Sequence, residues 1–244
     1  CIRDRNNFQL LINDEPFLNS VWVQTKLSFF TVGLQLLAGL AIALLLNKRS
    51  KFVEACRTIF LVPMVLPPIV VAIIWKVLYT PDISPVLWAL RTMNLPAPSA
   101  ITDPNLALWA IIVADVWEWF PFTMLMLLAA LQMMPDGPLE AAKVDGATAW
   151  QTFLYIILPL LRPALLVSGL FRLIDSIKAF PLIYILTEGG PGNVTEVTNY
   201  YAVVQAINFS YLGFSSAITV VMVAATFLLS WWIIKLVGER VEIE

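Results

Sequence analysis

Histidine is absent from this chain of 244 residues, and charged residues make up only 13% of it. Without imidazole, no site here can use histidine as a metal ligand or as a general base. Soluble domains carry about 25% charged residues, whereas this chain is 59% hydrophobic. One water-soluble core cannot bury that many apolar side chains in a chain of this size, so lipid must be a second solvent for the protein.

Long hydrophobic runs are abundant. A helix needs about 20 mostly apolar residues to cross the hydrocarbon core of a bilayer, and five stretches satisfy this requirement. They are residues 27–46, 58–79, 106–131, 160–186 and 212–237. The sequence therefore predicts an all-α membrane protein in which residues 1–244 form a single transmembrane domain.

Basic residues set the predicted orientation. The first connection carries Lys48, Arg49, Lys51 and Arg57 against one acidic residue, Glu54. Short loops rich in Lys and Arg stay in the cytoplasm, so this connection is predicted to lie inside. Alternation then gives external segments at 1–26, 80–105 and 187–211, and cytoplasmic segments at 132–159 and the C-terminus.

Several kinds of chemistry are not supported by the sequence. The net charge of −2 is near neutral and no basic tract is present, so a nucleic-acid partner is not predicted. The two cysteines, Cys1 and Cys56, fall on opposite predicted sides of the membrane, which argues against a disulfide. No GxxxxGK[ST] phosphate loop occurs in the sequence, so we do not expect the chain to hydrolyse ATP or to be an enzyme by itself.

The second span contains three prolines, Pro63, Pro67 and Pro68. Proline removes a backbone donor and bends or breaks a helix. In membranes such breaks are tolerated where the backbone is buried in protein or lines a cavity. A simple kink is the alternative for any single proline, but the cluster favours a cavity wall.

Charged residues also lie inside the third and fourth spans. They are Asp115, Glu118, Arg172, Asp175 and Lys178. A charge facing lipid is costly, so each should face the protein interior, pair, or line a pathway. Arg172, Asp175 and Ser176 share one helical face. Two readings stay open: a structural ion pair of Arg172 with Asp175 or Asp115, or a pathway for a solute. Lys178 is expected to extend toward the outer surface.

The predicted cytoplasmic segment, residues 132–159, contains two short helices. Pro138 suits the first turn of the first helix, and Gly146 supplies a left-handed residue at its end. Thr148 and Gln151 have the spacing of a capping box at the start of the second helix. That helix should end or kink at Pro159.

This segment resembles in full the EAA signature of ABC importer permeases. The matching residues are Glu140, Ala141, Ala142, Gly146, Ile156, Leu158 and Pro159. The stretches NSVWVQT, FLVPMVLPPIV, VADVWEWFPF, LPLLRPALL and LTEGGPGN are similar to the carbohydrate-uptake, maltose-type group of these permeases. The resemblance covers nearly the whole chain. It implies the transmembrane domain of a type I ABC importer, with five spanning helices here and a sixth before Cys1.

The resemblance also implies partners. In this family the EAA loop is a coupling helix that docks on a separate ATPase subunit, and the residues that carry over are Glu140, Ala141, Ala142, Asp145 and Gly146. Two such ATPase subunits would bind ATP and Mg, so this chain would hold no cofactor and no metal. A second permease subunit, in a heterodimer, and an extracytoplasmic solute-binding protein would complete the assembly in the bacterial cytoplasmic membrane.

For the solute, the resemblance points to the middle of the bilayer. The candidate pathway residues are Met64, Asp115, Glu118, Trp119, Arg172 and Ser176. Their carboxylates and guanidinium can hydrogen-bond hydroxyls, and an aromatic ring can stack on a sugar face. Charges stand here where the maltose pattern has amides and small residues. The solute is therefore left as a sugar, a polyol or a charged sugar derivative, and the partner permease is an alternative location for the site.

Three other functions compete with sugar import. An ion-gradient-driven secondary transporter could use Asp115, Glu118 and Asp175 as proton or cation sites. Such carriers often show inverted repeats, which this sequence lacks, and the EAA signature would be unexplained. A non-transporting scaffold subunit and an amino-acid or osmolyte permease are the remaining alternatives. The identity of the sugar and the choice between a homodimer and a heterodimer stay open.

Overall fold

The computed structural model describes residues 6–47, 50–96 and 98–241. The expectations for Cys1, Lys48 and Arg49 lie outside these ranges. Within them every regular element is helical, which confirms the predicted all-α class. The helices are α1 (Asn6–Ile12), α2 (Glu15–Leu45), α3 (Lys51–Val65), α4 (Pro68–Tyr79), α5 (Pro85–Thr92), α6 (Ala107–Gln132), α7 (Asp136–Val144), α8 (Ala149–Thr152), a π-helix (Phe153–Ile157), α9 (Leu158–Ile177), α10 (Pro181–Leu186), α11 (Thr198–Ile207) and α12 (Leu212–Val241).

Four continuous helical segments of the described chain are long and apolar enough to cross a membrane. They are Glu15–Leu45, Ala107–Gln132, Ala149–Ile177 and Leu212–Lys235. The pair α3 and α4 passes the same test together but is bent by 95°, so it is a fifth span only if the pair crosses the membrane as one broken unit. The prediction of five spans is therefore compatible with the structure if α3 and α4 together count as one span.

The first spanning helix begins earlier than predicted. It starts at Glu15 rather than at residue 27, so the predicted external segment 1–26 contains α1 and the first turns of α2. Asp14 stands before the helix in an extended conformation, and the proline that follows Glu15 occupies the first turn, where it is tolerated. The buried polar residues Ser20 and Gln24 reduce the hydropathy of these turns, which is why the sequence placed the boundary too late.

The second predicted span is broken, not simply kinked. Leu66 and Pro67 are extended, with ψ angles of 141° and 137°. Each of them precedes a proline, whose ring disfavours helical backbone in the residue before it. Pro63 remains inside α3. The break therefore comes from the Pro67–Pro68 pair and gives the sharp angle between α3 and α4.

The fourth predicted span is shifted toward the cytoplasmic loop. It runs continuously from Ala149 to Ile177 instead of from 160 to 186, and α10 is a separate short helix. An end or a kink was predicted at Pro159, and the helix does not end there. The π-helix before it ends with the Leu158 N–H donating to the Phe153 carbonyl, and Pro159 has no N–H that needs a partner. The widened turn thus carries the helix past the proline.

Helices α2 and α6 form the centre of the bundle. They cross closely at Gly39, where a Cβ atom would lie 2.7 Å from the Thr123 Cβ and 2.9 Å from the Met124 amide nitrogen. Buried apolar side chains extend from this crossing toward both ends of the bundle. At the end predicted to be external, the buried Tyr201 hydroxyl donates to Asp14 Oδ2 at 2.6 Å and ties α11 to the start of α2. This frame fixes the position of α6, on which two of the charged residues lie.

Candidate functional site

A cavity of about 210 Å³ lies beside α6 and α9, next to the break between α9 and α10. It is lined by Pro68, Asp115, Glu118, Trp119, Arg172, Asp175, Lys178, Ala179, Phe180, Pro181 and Leu182. Asp115, Glu118 and Trp119 come from α6, and Arg172 comes from α9. The fold therefore brings together four of the six predicted pathway residues, from two helices far apart in sequence.

Arg172 is held on three sides. Its side chain is 2% exposed. Its Nε donates to Gln35 Oε1 at 3.0 Å, and its NH1 donates to Asp175 Oδ2 at 3.1 Å. The guanidinium also lies over the Trp119 ring, 4.4 Å from the ring centroid, a favourable cation–π arrangement. The predicted ion pair of Arg172 with Asp175 is thus confirmed.

Asp115 does not pair directly with Arg172. Among the described side chains, the contact between them runs through Gln35, whose Nε2 donates to Asp115 Oδ2 at 2.7 Å and to the Asp115 carbonyl at 3.1 Å. The predicted alternative of a direct Arg172–Asp115 ion pair is therefore replaced by an amide bridge. The bridge joins α2, α6 and α9 at the edge of the cavity.

Glu118 has a different environment. Its side chain is 1% exposed, and neither carboxylate oxygen has a hydrogen-bond partner in the described part of the chain. A buried carboxylate without partners is costly. Glu118 lines the cavity, so its two buried oxygens are unpartnered acceptors in the cavity wall.

Met64 and Ser176 do not line the cavity. Met64 is partly buried on α3, before the break. Ser176 points to the interface between α2 and α9, where its hydroxyl donates to the Leu173 carbonyl at 2.8 Å and forms a second hydrogen bond with the Ser28 hydroxyl at 2.9 Å. The structure therefore separates these two predicted pathway residues from the other four.

Sequence reasoning missed the polar residues of α2. Gln24, Ser28, Thr31 and Gln35 are all buried, and their spacings of four, three and four residues place them on one face of an otherwise apolar helix. That periodicity was present in the sequence. It predicts a buried polar seam, although it does not reveal which residues of α6 and α9 meet it.

The cytoplasmic loop has the predicted local structure. Gly146 has a φ of 72°. Its N–H donates to the Lys143 carbonyl, and the Ala147 N–H donates to the Ala142 carbonyl, which is the pattern of a Schellman motif. The capping box at the start of α8 is also present. These contacts confirm the predicted helix, glycine turn and second helix of the segment.

The exposure of the loop is uneven. Glu140, Ala141 and Asp145 are exposed, but Ala142 is only 6% exposed. The resemblance assigns both Ala141 and Ala142 to the docking surface, and of the two only Ala141 is exposed in this chain. Large apolar side chains that were not among the candidates are exposed instead: Val144, Trp150 and Tyr155.

The chain matches a known protein family and is similar to named permeases. Residues 35–243 match the family described as binding-protein-dependent transport system inner membrane component. The chain is 36% identical over 219 residues to the trehalose/maltose transport system permease protein MalF of Thermococcus litoralis, covering 88% of this chain and 72% of the relative. It is 31% identical over 234 residues to the trehalose transport system permease protein SugA of Mycobacterium tuberculosis, covering 95% and 74%.

The fold has a close counterpart among solved structures. A chain of a bacterial alginate ABC transporter, crystallised in complex with an alginate pentasaccharide-bound periplasmic protein, matches with a TM-score of 0.88 and 21% identity. The match covers 97% of this chain and 83% of that chain. The fold is thus that of a type I ABC importer permease. The chain belongs to the binding-protein-dependent transport system inner membrane component family, among the permeases of carbohydrate importers.

Proposed function

We propose that this chain forms half of the translocation pathway of an ATP-driven, binding-protein-dependent importer of a sugar, a polyol or a sugar derivative. The observation that carries the proposal is the continuous helical segment Ala149–Ile177. It begins directly after the exposed Gly146 turn and carries Arg172 of the cavity near its other end. At 1.5 Å per residue this rod is roughly 40 Å long. It connects the cytoplasmic loop to the cavity through one continuous helix, so that a movement of the loop would also move Arg172.

The loop end of this rod is the proposed contact with the ATPase. Glu140 and Asp145 are exposed acidic residues that can pair with basic groups, and Ala141 leaves room for close approach. The turn at Gly146 orients this surface. In this proposal two separate ATPase subunits bind ATP and Mg, and their closing moves the loop and the helix that follows it. This chain itself holds no cofactor.

The cavity end is the proposed contact with the solute. Glu118 offers unpartnered acceptors, Arg172 offers donors, and the Trp119 ring offers an apolar face. The cavity of about 210 Å³ is smaller than the 300–1,000 Å³ typical of ligand sites. A second permease subunit would supply the remaining wall, which supports a dimer with the pathway between the two chains, proposed here as a heterodimer.

The remaining partners are inferred from the relatives. The matching alginate transporter was solved with a periplasmic protein that carries its sugar. By analogy, an extracytoplasmic solute-binding protein would deliver the solute to this assembly in the bacterial cytoplasmic membrane. The names of the two curated relatives, which include trehalose and maltose, make these disaccharides the first solutes to test.

The test is purification of the tagged native chain in mild detergent, with mass spectrometry of the proteins that come with it. A Glu140→Ala, Gly146→Pro variant removes the acidic contact and the left-handed turn. An Asp82→Ala variant is the matched control, because Asp82 is an exposed acidic residue on the opposite predicted side. We expect an ATPase, a second permease and a binding protein with the native chain. The ATPase should be lost from the double variant and kept by the control.

Two results would contradict the proposal. The first is purification of the chain alone together with ATP-independent uptake, since that would favour an ion-gradient carrier using the buried carboxylates. The second is an ATPase that stays bound to the Glu140→Ala, Gly146→Pro variant as firmly as to the control. In that case the assembly would be an ABC importer, but this loop would not be its coupling element.

A further inference from the structure

Gln35 lies at the point where three helices meet. It is on α2, in the middle of an apolar span, and it is 0% exposed. Its Oε1 accepts from Arg172 Nε of α9, and its Nε2 donates to Asp115 Oδ2 of α6. One side chain therefore satisfies a buried guanidinium and a buried carboxylate at once.

The chemistry of the bridge suits an amide. Arg172 carries only donors and the ionised Asp115 carries only acceptors, whereas a glutamine side chain offers both kinds of group. The network itself orients the amide, because only one of its two orientations places oxygen toward Arg172 and nitrogen toward Asp115. A second amide contact, from Nε2 to the Asp115 carbonyl at 3.1 Å, fixes Gln35 to the α6 backbone.

The consequence falls on the Arg172 guanidinium. Its Nε is held by Gln35, its NH1 is held by Asp175, and its face lies on the Trp119 ring. Within the described part of the chain, these contacts restrict rotation of the planar group and leave NH2 as the guanidinium nitrogen without a hydrogen-bond partner. Because Arg172 lines the cavity, the direction of that nitrogen depends on the anchor at Gln35.

We propose that Gln35 is a positioning residue of the transport pathway, which fixes Arg172 for hydrogen bonding to a hydroxyl of the transported solute. This inference rests on the proposed function as a sugar importer. Gln35 does not line the cavity, so it acts through Arg172 and not through contact with the solute. Its replacement should impair solute passage while the assembly still hydrolyses ATP, so that less sugar crosses the membrane per ATP.

The chain supplies a matched control. Gln24 lies on the same face of the same helix, is 7% exposed, and also bridges to α9, since its Nε2 donates to the Ser176 carbonyl at 3.0 Å and to Ser28 Oγ at 3.0 Å. It has no contact with Arg172 and does not line the cavity. A purely structural role for buried α2 glutamines would make the two positions respond alike.

The experiment uses the complete assembly reconstituted in liposomes with its binding protein, and radiolabelled maltose and trehalose as probes. Sugar molecules transported per ATP hydrolysed are measured together with the ATPase rate and the thermal midpoint. The variants are Gln35→Met and Gln24→Met, which keep side-chain length without the amide. Gln35→Glu is compared with the double variant Gln35→Glu, Asp115→Asn, in which the amide and the carboxylate exchange places and the net charge is restored.

We expect Gln35→Met to lower sugar per ATP by about tenfold, the scale of a lost hydrogen bond to a buried charged group, with the ATPase rate changed by less than about twofold. Gln24→Met should keep sugar per ATP at the native ratio even where its thermal midpoint falls. The double variant should transport more sugar per ATP than Gln35→Glu, because Asn in place of Asp115 can donate to the introduced carboxylate.

The inference is overturned if Gln35→Met and Gln24→Met lose uptake and ATPase activity in the same proportion, or if Gln35→Met transports at the native ratio. Failure of the proposed function gives a different result. In that case the native assembly takes up neither probe and its binding protein does not stimulate ATP hydrolysis, and the inference falls with it.

Discussion

Arg172 and Glu118 line the same cavity, but their charges are satisfied to different degrees. Arg172 has two hydrogen-bond partners and an aromatic ring, whereas both Glu118 oxygens lack partners. Removing one partner of a satisfied buried charge is strongly destabilising. Removing an unsatisfied charge has the opposite tendency. Changes at Arg172 should therefore lower the stability of the protein, whereas removal of the Glu118 charge should not.

Glu118→Gln tests this difference. We expect the thermal midpoint in detergent to stay the same or rise, because a neutral amide is cheaper to bury than an unpaired carboxylate. Sugar uptake by the assembly should fall by about tenfold or more, since one hydrogen-bond acceptor of the carboxylate is lost. The exposed Glu54→Gln is the control and should change neither quantity. A lower midpoint with native uptake would mean that Glu118 has a structural partner.

The sequence predicted part of this residue-level picture. The three-residue spacing of Arg172 and Asp175 on one helix predicted their pairing, because helical geometry alone places them together. The role of Gln35 could not be predicted in this way. Its partners lie 80 and 137 positions away, and only the packing of α2 against α6 and α9 brings them within reach.

Among the helices, the crossing of α2 and α6 depends on a glycine. A Cβ at Gly39 would meet the Thr123 side chain and the Met124 backbone, and backbone atoms cannot move aside without shifting a helix. Gly33, on the same helix, has no atom within 4 Å of the corresponding position. The two glycines therefore form a matched pair.

Gly39→Ala should destabilise the protein by about 2–3 kcal/mol through overpacking. Gly33→Ala should be neutral or stabilise it by up to about 1 kcal/mol, the difference in helix propensity. Unfolding of the purified chain in mild detergent with increasing denaturant measures both. Equal effects at the two positions would show that the helices separate here without cost.

The turn between α7 and α8 offers a second pair of glycines. Gly146 has a positive φ, whereas Gly137 lies in the first turn of α7, and both positions have open space for a Cβ. Gly146→Ala should cost about 1–2 kcal/mol because of the left-handed backbone, and Gly137→Ala should not. Proteolysis of the loop in detergent measures the difference, with faster cleavage expected only for Gly146→Ala. Equal cleavage rates would contradict the strain at Gly146.

Element boundaries were predicted less well than element types. Periodicity and capping residues identified the helices of the cytoplasmic loop, because these signals are local. The proline cluster of the second span favoured a break, but it did not give the position or the angle of the break between α3 and α4. The continuity through Pro159 was not predicted, since a proline can bend a helix, break it or be passed by a π-turn. The surrounding packing decides among these outcomes.

The whole molecule is an assembly of spans whose orientation was predicted from charge. Asp82 and Asp145 are exposed on opposite predicted sides of the membrane. In a chain with Cys1→Ser and Cys56→Ser, an Asp82→Cys variant should react with a membrane-impermeant maleimide on intact cells. An Asp145→Cys variant should react only after the cells are opened. The reverse pattern would overturn the predicted orientation.

The fold class and the family were evident from composition and from one cytoplasmic motif, while the relation between the two ends of the long helix was not. The π-helix between Phe153 and Ile157 determines that relation. Each residue of an α-helix turns the next by about 100°, and a π-turn accommodates one extra residue without breaking the rod. This short stretch therefore changes the rotational register of the helix on either side of it. It sets the angle between the helical face next to the cytoplasmic loop and the Arg172 face of α9, and one residue fewer here would turn the Arg172 face by about 100° relative to the loop.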